Sequence, residues 1–182
     1  MNQPHRRLPG DPSSEADVAR MIRVDHAGEY GAARIYAGQL AMLGRSQSAP
    51  VLREMQEQER QHLDRFAELI ARRRVRPTAM LPLWHVAGFA LGAATAALGE
   101  RAAMACTVAV EEAIDAHYAD QIVALDDSEA ELRTTLGGFR DDELRHRDIA
   151  LQHGAEQAPG YRLLSAAIKA GCKVAIRISE RI

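Results

Sequence analysis

Glu59-Arg60-Gln61-His62 and Glu143-Leu144-Arg145-His146 each set a glutamate and a histidine one helical turn apart. What surrounds them decides the fold. Around the first pair the apolar residues Leu52, Met55, Phe66 and Leu69 step by helical intervals, and Glu59 and His62 fill the gap between them. Around the second, Leu132, Leu136, Phe139 and Ala150 leave the same gap for Glu143 and His146. Two further stripes each carry a lone glutamate. One runs Val18, Ile22, Asp25, Glu29, Ala33, Tyr36, Leu40, and the other Met104, Val108, Glu111, Asp115, Tyr118, Ile122, Leu125. Steps of three and four hold side chains on one face of an α-helix, so these acids and imidazoles point inward at mid-helix.

A Glu-x-x-His pair is usually a solvated neighbour on a helix surface. Here both pairs replace apolar residues within the stripe. A buried salt-bridge network is excluded as well, because the stripes hold no Lys or Arg beside the glutamates. An unpaired buried carboxylate costs several kcal/mol or takes up a proton, and four together repel one another. Two divalent cations neutralise four carboxylates. Oxygen donors with one imidazole per ion suit iron or manganese better than zinc. Glu59 and Glu143 are the natural bridges, with Glu29 and His62 completing one ion and Glu111 and His146 the other. A glutamate from each of two helices, with Glu-x-x-His from two others, resembles the ligand set of ferritin-like dinuclear carboxylate proteins. The expected fold class is all-α: a ferritin-like four-helix bundle around a dinuclear metal site.

Composition agrees. The 182 residues suffice for one sizeable core, and the chain is rich in helix formers with only 4% aromatic residues. A net charge of −2 gives no general pull toward nucleic acid. Cys106 and Cys172 are far apart in sequence and read as small core residues of a reducing compartment. Residues 1–14, punctuated by Pro and Gly, read as a flexible arm. Residues 15–182 read as a single ferritin-like domain. Ser14 is placed to cap the first helix, Pro50 to open the second, and Ser128 with Glu131 to form a capping box for the helix carrying Glu143. Gly137 and Gly138 inside that helix suggest close approach or bending.

Two segments exceed what a soluble bundle needs. From residue 77 to 99 there is no charged side chain, and Gly88 and Gly92 offer a small-residue face. A membrane span would part the two halves of the metal site, so this stretch is expected as a crossover helix, buried or half-embedded in a bilayer surface. Over 159–181 a basic amphipathic helix sets Arg162, Lys169, Lys173, Arg177 and Arg181 on one side. Leu164, Ala167, Ile168, Gly171, Cys172, Ala175 and Ile178 lie on the other. Such a helix fits a membrane surface, or a further bundle helix with a solvated face. Together the two segments point to a substrate that lives in lipid.

Longer motifs narrow this further. Asp25-His26-Ala27-Gly28-Glu29-Tyr30-Gly31-Ala32, Val110-Glu111-Glu112 followed by His117-Tyr118, and Phe139-Arg140-Asp141-Asp142-Glu143-Leu144-Arg145-His146 resemble the demethoxyubiquinone hydroxylases of ubiquinone biosynthesis. Ala170-Gly171-Cys172-Lys173-Val174-Ala175-Ile176 and Ser179-Glu180-Arg181 match as well, so the resemblance covers about Val18 to Ile182. It implies a di-iron monooxygenase, with two iron ions cycling between Fe2+ and Fe3+, that uses O2 to hydroxylate the ring of a polyprenylated demethoxyubiquinol. It also implies peripheral attachment to a membrane and partners among other ubiquinone-biosynthesis proteins, in a homo-oligomer or hetero-complex. The family's ligands fall on Glu29, Glu59, His62, Glu111, Glu143 and His146. Mitochondrial members carry a presequence absent here, so a bacterial cell membrane, cytoplasmic side, is expected. Tyr118, seven residues beyond Glu111, is placed to bond a ligand or relay an electron. Asp25 and Asp115 are placed to accept from metal-bound imidazoles, whereas His117 lies off the line. A ferritin-like ferroxidase and a manganese catalase would use the same six ligands. A membrane-docked scaffold of a quinone-synthesis complex is the non-enzymatic alternative.

Overall fold

A computed structural model describes residues 14–182, with side chains from Glu15 onward. Of the expected arm over 1–14, residues 1–13 lie outside the described residues; Ser14 opens α1, but its side chain, and with it the expected capping role, lies outside them. Six α-helices follow in order: α1 (Ser14–Leu43), α2 (Ala49–Arg73), α3 (Leu81–Ala97), α4 (Glu100–Ala124), α5 (Ala130–Gln152) and α6 (Tyr161–Ser179). Short 3₁₀ turns at Asp127–Glu129 and Ala155–Gln157 join α4 to α5 and α5 to α6. No strand occurs among the described residues.

The helix ends follow local chemistry. Pro50 sits in the first turn of α2, and Arg74 closes that helix in the left-handed region at φ 52°. Gly154 and Gly160 take φ values of 81° and 69° on either side of the second 3₁₀ turn. The expected capping box at Ser128 does not form. Asp126 Oδ1 instead accepts from the Ser128 backbone N–H at 2.9 Å, because an Asp two residues back makes an Asx turn of its own. Glu131 is drawn away to Arg65 at 2.7 Å and Arg72 at 3.0 Å. The Arg72–Arg74 run is thus partly consumed as helix-end ion pairing, with Arg73 also bonding Glu129 at 2.6 Å.

The bundle is two antiparallel hairpins, α1–α2 and α4–α5, with α3 laid on α1 and α6 laid on α4. Apolar clusters sit at both ends of its interior. One gathers Ile22, Phe66, Leu69, Leu132 and Leu136, and the other Tyr36, Leu52, Met55, Met104 and Val108. The polar stripe residues lie between them. α4 meets α1, α3, α5 and α6, so it is buried all round from Ala102 to Glu111, where its small residues admit four neighbours.

α3 runs parallel to α1 at backbone contact distance. A Cβ added at Gly92 would stand 1.9 Å from the Ile35 carbonyl oxygen, and one at Gly38 2.2 Å from the Phe89 carbonyl oxygen. The Gly88/Gly92 face therefore packs against α1. Gly137 and Gly138, by contrast, have nothing within 4 Å of an added Cβ, so the close approach expected there is absent. No helix of the described residues is long and apolar enough to cross a membrane. The crossover is a half-covered helix whose outer face exposes Leu83 and Val86.

Candidate metal centre

Six side chains converge at the middle of the bundle. Glu29 comes from α1, Glu59 and His62 from α2, Glu111 from α4, and Glu143 and His146 from α5. All are buried, with at most 3% of any of them exposed. Glu29, Glu59, His62 and Glu143 form one group and Glu59, Glu111, Glu143 and His146 another, the ligand atoms of each lying within 4.8 Å of one another. Glu59 and Glu143 belong to both groups.

The imidazoles turn the same atom inward. His62 Nδ1 lies 3.2 Å from Glu143 Oε1 and 3.6 Å from Glu29 Oε2. His146 Nδ1 lies 3.1 Å from Glu59 Oε1 and 3.6 Å from Glu143 Oε2. Yet both Nδ1 atoms, both oxygens of Glu59 and of Glu143, and one oxygen each of Glu29 and Glu111 lack any hydrogen-bond partner. Buried polar atoms are nearly always satisfied, and eight unsatisfied ones facing a common point need an explanation. Hard oxygen and imidazole donors so placed fit two octahedral-type cations such as iron or manganese.

The buried acids and imidazoles bias one another's protonation. Burial, reinforced by the neighbouring Glu143, holds Glu59 and Glu111 well above the usual carboxylate range. For His62 burial works against the imidazolium, but Glu143 and Glu29 outweigh it and lift the group to about 10. Glu143 responds in the opposite sense. Burial would raise it, but the adjacent His146 and His62 imidazoles draw it down to about 2. It is the ionised centre of the cluster.

The surrounding bonds are reciprocal. Tyr118 on α4 donates to Glu29 on α1, and Tyr36 on α1 donates to Glu111 on α4 at 2.7 Å. Burial, with the adjacent Glu111 or Glu29, raises both phenols, so they remain donors. Tyr36 stood in its stripe without a role assigned to it. Its position seven residues beyond Glu29, matching Tyr118 beyond Glu111, was the available signal.

The outward imidazole nitrogens find acceptors other than those expected. His62 Nε2 lies 3.1 Å from Asp142 Oδ2, and His146 Nε2 lies 2.7 Å from Gln58 Oε1. Asp25 bonds Gln121 at 2.8 Å and His117 at 3.2 Å, and Asp115 bonds Arg140 at 2.6 Å. Neither aspartate reaches a ligand imidazole, because each faces a closer cation or amide on the neighbouring helix. Burial raises Asp25 to about 6, against the lowering effect of His117. His117 joins this cluster and is not among the six. Outside His62, Phe139 stacks on the ring with centroids 3.9 Å apart. Beyond it an open depression of about 650 Å³ is lined by Gln61, Arg65, Thr134, Asp142 and Arg145.

The sequence profile of the family described as "Ubiquinone biosynthesis protein COQ7" matches residues 16–179. The chain belongs to this family. A Rhodospirillum rubrum protein named 3-demethoxyubiquinol 3-hydroxylase is 61% identical over 177 residues, covering 97% of this chain and 84% of the relative. A human protein named NADPH-dependent 3-demethoxyubiquinone 3-hydroxylase, mitochondrial, is 56% identical over 176 residues, covering 94% and 81%. In Saccharomyces cerevisiae the similar protein is named 5-demethoxyubiquinone hydroxylase, mitochondrial. It is 42% identical over 189 residues, covering 93% and 81%.

Proposed function

We propose that this member of the COQ7 family hydroxylates the ring of a polyprenylated demethoxyubiquinol. Two iron ions would be held by Glu29, Glu59, His62, Glu111, Glu143 and His146. The eight unpartnered donor atoms turned into one buried point carry this reading. Bound there, the irons supply the redox chemistry that activates O2. The human relative is named for its dependence on NADPH, and a reduced nicotinamide nucleotide is the electron source proposed for this chain. It provides the two electrons that, with two protons, turn the second oxygen atom into water.

The chain's own residues do the rest. Tyr36 and Tyr118 orient Glu111 and Glu29, each holding one carboxylate oxygen in place. Asp142 and Gln58 hold the imidazoles with Nδ1 inward. The apolar clusters at either end exclude water from the reacting centre.

The substrate's tail suits the outer face formed by α3 and α6. Leu164 and Cys172 of α6 and Leu91 of α3 pack on one cluster with Ile35 and Cys106, so the two helices flank the same side of the bundle. Leu83, Val86, Leu163 and Val174 are each at least half exposed there, beside the exposed Arg162, Lys173, Arg177 and Arg181. Apolar side chains among cations fit attachment to an anionic bilayer surface. The buried seam of α6 differs from the expected one. Lys169 pairs with Glu112 of α4, while Ala167 and Gly171 face outward.

Expression in a quinone-producing cell lacking its own hydroxylase tests the assignment. Mass analysis should show the demethoxy intermediate replaced by ubiquinone. Its persistence beside stable, iron-loaded protein would refute the substrate. A fully metal-loaded protein that only oxidises and stores Fe(II) would favour the ferroxidase.

A further inference from the structure

The two halves of the site are related by an internal pseudo-two-fold axis. Glu29 matches Glu111, Glu59 matches Glu143, His62 matches His146, and Tyr36 matches Tyr118. The relation extends outward: Gln39 of α1 and Gln121 of α4 occupy equivalent positions, and each reaches across to the other helix. Against that symmetry, equivalent positions beside the ligands differ in charge. Gln58 precedes Glu59, whereas Asp142 precedes Glu143. Thr107 lies one turn before Glu111, whereas Asp25 lies one turn before Glu29.

Asp142 and Asp25 fall on the Glu29–His62 half, whereas the acids added around Glu111, Asp115 and Glu112, pair with Arg140 and Lys169. Asp142 accepts from His62, and Arg145 on its other oxygen fixes its orientation. Asp25 is fully buried one turn from Glu29. On the other half, His146 has the neutral amide oxygen of Gln58, and Thr107 bonds Gln39 at 3.4 Å. A carboxylate acceptor makes a charge-assisted hydrogen bond, roughly twice as strong as a neutral one, and makes the imidazole a better donor to a metal. Removing such a partner typically weakens metal binding about 10- to 100-fold.

We infer that the two metal positions are inequivalent, the Glu29–His62 position filling first and holding its ion more tightly than the Glu111–His146 position. Asp142 is the positioning residue that sets the order. This rests on the dinuclear reading above. The second ion is consequently the exchangeable one, and its surroundings are those that can alter coordination at least cost.

The test uses the full chain loaded anaerobically with one equivalent of Mn(II), which resists oxidation, followed by diffraction at the manganese edge. Anomalous density should concentrate at Glu29–His62. Equal density at both positions would overturn the inference. No density at either, in folded protein, would instead overturn the metal reading itself. Asp142→Asn should weaken Mn(II) binding about 10- to 100-fold at Glu29–His62 and leave the other position within about two-fold. Gln58→Glu should shift density toward Glu111–His146. Equal weakening of both positions by Asp142→Asn would also refute the assignment. The wild-type measurement stands even if a variant fails to fold.

Discussion

Loading metal into this protein should release protons, and the number follows from the site. In the metal-free state His62 titrates at about 10, and Glu59 and Glu111 are held well above the usual carboxylate range. A cation requires all three in their deprotonated forms. Two ions therefore displace at least the His62 proton near neutral pH, with Glu59 and Glu111 adding to the count in proportion to the proton each still holds. Each proton contributes about 1.4 kcal/mol per pH unit, so the summed binding free energy should strengthen by at least about 1.4 kcal/mol per unit, about ten-fold in the product of the two association constants. The sign is fixed: these groups are raised, so the proton competes most strongly at low pH and affinity climbs as pH rises. For His62 the climb continues toward about pH 10. Calorimetric Mn(II) titration in buffers of differing ionisation enthalpy measures the count directly. Fewer than one proton released per two ions at pH 7 would mean that the six side chains do not share a charge-balanced buried pocket.

Asp25→Asn should stabilise the fold at neutral pH. Burial lifts Asp25 from 3.8 to about 6, so its contribution is favourable below pH 4 and is lost as pH rises through about 6. The stability difference between variant and wild type should grow across that window toward at most about 3 kcal/mol, then level off. A difference constant from pH 4 to 8 in thermal denaturation would contradict this. Gly92→Ala forces a Cβ to within 1.9 Å of the Ile35 carbonyl oxygen and should cost about 1–3 kcal/mol. Gly171→Ala, with nothing within 4 Å, should gain up to about 1 kcal/mol. Equal effects in chemical denaturation would show that α1 and α3 are not in backbone contact. Reversing Lys173 and Arg177 to Glu should cut sedimentation with anionic vesicles at least ten-fold, at about 1 kcal/mol per basic residue removed, with metal content unchanged. Unaltered vesicle binding would move the attachment surface elsewhere.

Helical phase made the fold and the cluster legible because interruptions in an apolar stripe report direction without any knowledge of neighbours. It placed Glu29, Glu59, His62, Glu111, Glu143 and His146 inside, and their split into two sharing groups followed from the repeat. Phase fails across helices. Asp25 and Asp115 stood on the right faces, yet their partners Gln121, His117 and Arg140 are supplied by packing. The imidazole acceptors came from the residues just before Glu143 and Glu59, on the facing helix of the α2–α5 pair. No single-helix pattern reveals such a contact. The faces of α6 shifted for a similar reason, since Lys169 can lay its stem along the seam and pair with Glu112.

An acidic cluster in a helix bundle would push its walls apart unless those walls were braced, and the bracing accounts for features that the chemistry alone does not require. Gln39 donates to the Ala103 carbonyl oxygen at 3.0 Å, and Gln121 donates to Asp25 at 2.8 Å, pinning α1 to α4 on both sides of the site. Glycines let α3 lock against the back of α1, and Trp84 Nε1 donates to Ser179 Oγ at 3.0 Å, tying α3 to α6. These contacts brace the α1–α3–α6 side, which is the side proposed above for a lipid-borne tail. The opposite α2–α5 face carries a polar depression directly outside His62 and Asp142. Apolar substrate and polar reactants would then reach one centre from opposite faces.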